Sequence, residues 1–362
     1  MKRIVFISLV FVLLLGCQKE EICNPTFFDQ PIMGLAWQDP ICPGAFENNP
    51  TGMEETIHLG NQFSSPAFNP SNPYEFCYYQ IVADSGSQIE IDHQIVIFNL
   101  QTGEKSIVLN NTKVIGNLAW NKKGWIAYQN EDNGGIYAIH NQSHEIVQMS
   151  NIEGFPIDKN LAWINNQDTL IWGGTDINNV PYLKYSVITN EEENDFLVFG
   201  SPAVINHEYC ISNHQTLLAR FSTDFSNGTK FYQTKLNALN EDWNQFTIPL
   251  YGTQIGRVNW HADGNRFYVP ITGSTDGVGL YEIAYNTIQV SKLYDFCDQQ
   301  FVYQAVCSPN GKYLLIQKIE RDFIIDEEHA QDPSGIYNQI VENNKLWIYD
   351  LAKKKEALLP LD

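Results

Sequence analysis

The residues best suited to chemistry in this 362-residue chain are acidic and aromatic, and they gather in two stretches. Between Glu320 and Asn343 stand Asp322, Asp326, Glu327, Glu328, His329 and Asp332, with Phe323 and Tyr337 among them. Between Ile81 and His93 stand Asp84, Glu90, Asp92 and His93. Carboxylates and imidazoles ligate Ca²⁺ or a transition metal, and beside aromatic rings they also recognise partners. Neither stretch has EF-hand spacing and the chain contains no His-Glu-x-x-His. The metal content of these stretches is therefore left open: no cofactor is expected, with a structural ion as the alternative. Nucleophilic catalysis has less support. No Gly-x-Ser-x-Gly occurs, and Gly273-Ser274-Thr275-Asp276-Gly277 lacks the spacing and the strand-to-helix setting that expose such a serine. No residue is assigned a catalytic role, and a binding protein is favoured over an enzyme.

These residues must be positioned by the elements around them, and those elements repeat. Phe68, Trp120, Trp163, Cys210, Trp260 and Cys307 recur 43 to 52 residues apart as anchors of one pattern. After Trp120, Trp260 and Cys307 a glycine falls four residues on, at Gly124, Gly264 and Gly311. A glycine there supplies the positive φ of a tight hairpin. Four short apolar runs follow in each period. In the second they are Asn117 to Trp120, Trp125 to Tyr128, Gly135 to His140 and Glu145 to Met149. A period near 48 residues with four strands per unit predicts an all-β, six-bladed β-propeller of four-stranded antiparallel blades. Blades bury both faces against their neighbours, so runs such as Leu314-Leu315-Ile316 need not alternate. Glu356 to Leu361 and Glu55 to Leu59 compete for the outer place of the last blade. A seven-bladed ring with a partial N-terminal blade, built from the Trp37 segment and the Ile57 strand, is the alternative.

Cys307-Ser308-Pro309-Asn310-Gly311-Lys312, the apolar strand after it and Leu346-Trp347-Ile348-Tyr349-Asp350-Leu351 resemble the WD40-like repeat of TolB-type propellers. The match is closest in the sixth repeat and looser in the second and fifth. In the first, third and fourth, Pro70-Ser71-Asn72-Pro73, Asn165-Asn166-Gln167-Asp168 and Ser212-Asn213-His214-Gln215 stand at the turn. The resemblance spans about residues 55 to 362 and implies a fold that serves binding and catalysis alike.

Residues 1 to 16 read as an export signal, with Lys2 and Arg3 ahead of an apolar run from Ile4 to Leu15. Leu14-Leu15-Gly16-Cys17 resembles a bacterial lipobox, which implies lipidation of Cys17. Gln18-Lys19-Glu20-Glu21 is similar to the acidic signal of Bacteroidetes surface lipoproteins. The expected location is the outer membrane, exposed at the cell surface or otherwise facing the periplasm. Residues 17 to 53 read as a tether and irregular segment, and residues 54 to 362 as the propeller. Removing residues 1 to 16 takes Lys2 and Arg3 away and moves the formal charge from −20 to −22. A surface so acidic repels nucleic acid and anionic headgroups, so the membrane is held through lipid and no nucleic-acid partner is expected. Among the remaining cysteines, Cys23 with Cys42 and Cys297 with Cys307 are the pairings considered.

On the ring, loops between second and third strands lie on one face. The Ile81–His93 and Glu320–Asn343 insertions both occupy that connection, in the first and last blades, which become neighbours on closure. They predict a composite acidic and aromatic rim that binds a protein, peptide or glycan. Trp243 is a further candidate contact. Of the eight histidines, only His207, His214 and His261 fall near segments that approach the axis. A lyase-type enzyme acting on polysaccharide with such histidines and a metal is the alternative function.

Overall fold

The computed structural model describes residues 30–40, 54–58, 60–84, 89–150, 160–164, 168–175, 181–188, 190–198, 209–212, 216–224, 228–235, 244–250, 254–272, 279–295, 300–325 and 338–362. These contain 26 strands and no helix. A leading strand, β1 (Glu54–Ile57), precedes the first blade, which is β2 (Gln62–Asn69), β3 (Asn72–Ala83), β4 (Glu90–Asn99) and β5 (Lys105–Leu109). The second is β6 (Val114–Trp120), β7 (Trp125–Asn130), β8 (Ile136–His140) and β9 (Ile146–Ser150). The third is β10 (Leu161–Trp163), β11 (Thr169–Thr175), β12 (Pro181–Val187) and β13 (Asn190–Val198). The fourth is β14 (Tyr209–Ile211), β15 (Thr216–Asp224), β16 (Gly228–Lys235) and β17 (Asn244–Ile248). In the fifth the inner strand is split into β18 (Gln254–Ile255) and β19 (Asn259–Trp260), followed by β20 (Arg266–Thr272), β21 (Gly279–Ala284) and β22 (Gln289–Asp295). The last is β23 (Gln300–Cys307), β24 (Tyr313–Ile325), β25 (Asn338–Asp350) and β26 (Lys355–Leu358).

Successive strands pair antiparallel within each of six sheets among the described residues, and every anchor sits on an inner strand. The expected hairpins form for a visible reason. Asn121 accepts hydrogen bonds from the backbone of Lys123 and Trp125, and Ser308 accepts from Tyr313. Gly124, Gly264 and Gly311 carry φ of +92°, +66° and +70°. At Gly311 a side chain is excluded twice, because a Cβ would also lie 2.9 Å from the His261 ring of the neighbouring blade.

Blade faces bury one another. Apolar clusters join blades 1 and 2 through Tyr79 and Trp120, 2 and 3 through Ile136 and Trp172, 4 and 5 through Phe231 and Phe267, and 5 and 6 through Tyr268 and Leu314. A fifth cluster, with Phe76, Phe98, Leu315 and Ile348, packs blade 6 on blade 1 and closes the ring. Each such fully buried side chain contributes roughly 1.5–3 kcal/mol of transfer free energy.

Closure differs from the competition expected for the outer place. Both candidate strands pair with β25, at different heights: β26 runs antiparallel along Trp347–Asp350, and β1 runs parallel along Asn338–Val341. They share one long strand, so no seventh blade is needed. The Trp37 segment is not a strand of its own either. Gln38 makes a two-bond bridge to Glu356, Met33 donates to the Leu100 carbonyl, and Trp37 packs on the closing cluster. The chain from Ile32 to Gln38 thus straps the seam between blades 1 and 6.

Candidate functional site

The described parts of the two insertions are largely strand. In blade 6, β24 and β25 pair without interruption from Tyr313–Asp350 out to Ile325–Asn338, which makes Asp322 and Phe323 strand residues opposite Val341 and Ile340. Asp326, Glu327, Glu328, His329, Asp332 and Tyr337 lie outside the described residues. In blade 1, β3 and β4 pair out to Ala83–Glu90, with a bulge at Ile91 between the Val82–Asp92 and Ala83–Glu90 pairs. Both hairpins therefore project from the same face of the ring. Gln62 ties their bases together: its amide donates to Asn343 at 3.2 Å and accepts from the Asn344 backbone at 2.6 Å, while its own strand pairs with Ile81. The side-by-side placement inferred from blade order holds at this level.

The described rim residues play unequal parts. Asp84 is exposed. Glu90 is half-exposed and accepts from His93, whose Nε2 lies 3.2 Å from its carboxylate. His93 is turned toward the sheet, with Nδ1 2.6 Å from the Tyr79 hydroxyl, so both ring nitrogens are engaged. Asp92 is a local staple. Desolvation pushes its carboxyl upward, but hydrogen bonds from Gln94 and from the Asn111 and His93 backbone outweigh that and hold it below the usual range. Two residues missed by the sequence reasoning stand out at the described outer end of this hairpin: Ile89 and Ile91 are 67% and 63% exposed. Isoleucine on a projecting edge is what β-proteins ordinarily avoid, and the alternation Ile89-Glu90-Ile91-Asp92 was the available signal. Among the described residues no cluster of three metal-ligating groups occurs.

Other expectations resolve as follows. Cys307 is a free thiol, and burial pushes it up to about 12, so it is neither half of a disulfide nor a nucleophile. Glu191, Glu192, Glu193 and Asp195 belong to β13. His261 is buried in its hairpin, beside Asp263 at 3.0 Å and within reach of the Gly311 carbonyl at 3.3 Å. Cys17, Cys23, Cys42, Cys297, His207, His214 and Trp243 lie outside the described residues.

A second concavity, of about 230 Å³, surrounds the axis between the inner strands. Its lining includes Asn117, Asn160, Arg257, Asn259 and Gln304, with Trp120, Trp163 and Trp260, and Pro70, Asn121 and Lys122 from first turns. The cavity thus opens toward the face opposite the hairpins. The anchors themselves are explained by packing between blades. Trp163 Nε1 donates to the Ala119 carbonyl and Trp260 Nε1 to that of Cys210, each bonding the preceding blade. The polar residues sit three positions earlier, at Ser65, Asn117, Asn160, Arg257 and Gln304, a recurrence readable once the anchors are aligned. A bonded network extends from Gln304 through Gln317 to Ser65 and on to the Gly116 carbonyl. Ser65 holds φ at +53° to make it, a strained setting for a side-chain-bearing residue.

The strand order and the antiparallel blades define a β-propeller, and solved propellers share its course. TolB from Acinetobacter baumannii superposes with a TM-score of 0.54 at 13% identity, covering 83% of this chain and 63% of that one. A protein assigned as TolB from Agrobacterium tumefaciens gives 0.53 at 10% identity, covering 72% of this chain and 86% of that one. At such identity the likeness shows the fold, a TolB-like propeller, and nothing finer. No family model matches the chain, and no curated protein matches it in sequence.

Proposed function

We propose that this chain is a cell-envelope binding propeller that works by rigid presentation of two adjacent hairpins to a protein or peptide partner. The observation that carries the reading is the described outer end of the β3–β4 hairpin, where exposed Ile89 and Ile91 alternate with Glu90 and Asp92. An apolar pair flanked by carboxylates fits a partner segment that alternates apolar and basic residues, and the net charge of −20 favours such a partner at long range. The TolB-like fold supports a role of this kind without specifying it. Lipid on Cys17 would hold the ring to the outer membrane, at the surface or in the periplasm, and the projecting face would remain available for docking. A glycan is the competing ligand, and lyase chemistry the competing activity; no described residue favours either.

The test is co-purification from the native envelope with the full chain and with Ile89→Ser/Ile91→Ser. The reading expects one stoichiometric protein that the double substitution loses while thermal stability stays unchanged. Equal recovery by both chains, or a glycan in its place, would overturn it. Cys17→Ala should move the protein from the membrane to the soluble fraction, and persistent membrane association would count against lipid anchoring.

A further inference from the structure

Two strands share the outer edge of β25, and they are held very differently. β26 is locked there by the buried Lys318–Glu356 pair. β1 pairs over four residues only, Glu54–Ile57 with Asn338–Val341, and runs parallel on a hairpin that is otherwise antiparallel. Parallel pairs are slightly weaker per residue, and an edge strand has a partner on one side alone. Beyond its end, His58 Nδ1 lies 2.8 Å from the Glu342 carbonyl oxygen. The seam between blades 1 and 6 is held elsewhere, by the strap at Gln38 and the apolar cluster of Phe76, Phe98, Leu315 and Ile348, so β1 can leave without opening the ring.

The composition of β1 does not match the edge it covers. Glu54 stands in register with Asn338 and, one strand further, Ile325; Glu55 with Gln339 and Ile324; Thr56 with Ile340 and Phe323; Ile57 with Val341 and Asp322. The receiving strands are rich in β-branched and aromatic residues, which sheets favour, whereas β1 begins with two glutamates, which sheets disfavour. Those glutamates also join a hairpin that carries Glu320, Asp322 and Glu342 against Arg321, in a chain of net charge −20. An extended segment with basic residues at the same two positions suits this edge better than the strand now on it.

We propose that the β25 edge at Asn338–Val341 is a strand-docking site, occupied by β1 at rest and taken over by an extended segment of the protein partner that carries basic residues where β1 carries Glu54 and Glu55. This rests on the hairpin-face reading above and specifies how the partner engages blade 6. Main-chain hydrogen bonds supply the affinity of such strand addition, and side chains at alternate positions supply the selectivity. While docked, β1 shields an edge that would otherwise pair with any exposed strand. The partner's apparent affinity is lowered by the fraction of molecules in which β1 is in place.

The probes are two synthetic peptides capped at both ends: the Met53–Leu59 sequence and its Glu54→Lys/Glu55→Lys form. Each is titrated into the full chain and into Glu55→Pro/Thr56→Pro, in which adjacent prolines remove a pairing amide whichever of the two faces β25. Binding is read at the backbone amides of Asn338–Val341 by heteronuclear NMR. The proline variant should bind both peptides, the lysine form at least about tenfold more tightly. The parent should bind each about tenfold or more weakly than the variant does. Ile89→Ser/Ile91→Ser should leave peptide binding unchanged. In the parent, the most protected amide of Glu54–Ile57 should exchange at least about a hundredfold faster than the most protected of Leu314–Ile316, because local opening releases it. Equal protection of the two segments, no binding to the variant at millimolar concentration, equal binding of the two peptides, or shifts centred away from β25 would overturn the proposal. The exchange comparison needs no variant, so it decides even where the prolines disturb folding. Peptide binding at β25 with no partner recovered from the envelope would leave this site standing and overturn the partner reading; a recovered partner with no peptide binding would do the reverse.

Discussion

Breaking the Lys318–Glu356 ion pair tests how the last blade is held. Nζ and Oε2 are 2.5 Å apart, and each side chain is 1% exposed. The Trp347 ring lies 4.6 Å from the ammonium. Lys318 stands on β24 and Glu356 on β26, so the pair clamps the outer strand across β25, where the strap from Gln38 also bonds the Glu356 backbone. Burial pulls the Lys318 amine below its ordinary range, and Glu356 pushes back. Each ion costs several kcal/mol to desolvate, and its partner repays most of that. Lys318→Met leaves the buried Glu356 carboxylate without its cation, and Glu356→Leu leaves the buried ammonium with the weaker support of Glu320 and the Trp347 ring, so each should cost about 3–5 kcal/mol. Lys318→Met/Glu356→Leu removes both charges and should return to within about 1–2 kcal/mol of the parent, a coupling of several kcal/mol. Urea unfolding followed by tryptophan fluorescence measures this. With a slope of about 3 kcal/mol/M, either single substitution lowers the midpoint by about 1 M or more. Single shifts near zero, or a double variant as unstable as the sum of the singles, would refute the reasoning.

Further outcomes follow from backbone and burial. Lys354 is exposed yet holds φ at +56° in the turn before β26, so Lys354→Gly should stabilise by roughly 1 kcal/mol and raise the thermal midpoint by a few degrees. Gly256→Ala places a Cβ against two carbonyls, at 2.4 Å from Tyr303 and 2.7 Å from Val302, and should cost about 1–3 kcal/mol in denaturant titrations. Cys307, pushed up to about 12 by burial, should resist iodoacetamide at pH 8 in the folded chain and react at an ordinary thiol rate once unfolded; rapid labelling of the native protein would contradict its placement.

The fold was readable where a local rule applies repeatedly. Trp120, Trp260 and Cys307, each with its glycine four residues on, mark the hairpins because positive φ is needed at that one point, and their spacing then fixes one blade per anchor. Where the rule is met by other residues, reading fails. His144, Ile288 and Lys354 occupy left-handed turns between third and fourth strands without being glycine, so these turns carry no sequence mark. Ring closure was not legible either, since β1 is four residues long and pairs with a strand some 280 positions away. Nothing local distinguishes it from a stray apolar run. The site was half visible. The two insertions were found as departures from the repeat, but their pairing into long hairpins was hidden because acidic residues disguise strands such as Glu320–Ile325. Ile89 and Ile91 were passed over for their charged neighbours. The axial cavity was missed because tryptophans that pack blades stand three positions from the polar residues that line it.

The central claim is that the hairpin face, and the described outer end of β3–β4 in particular, meets the partner. A photo-crosslinking amino acid placed at Ile91 in the membrane-bound protein tests it most directly, with Ile146 on the outer strand of blade 2, which is 49% exposed, as the control. The proposed function predicts one specific protein adduct at position 91, abolished by Glu90→Lys/Asp92→Lys, and none at position 146. No adduct at 91, or the same adduct at both positions, would contradict it.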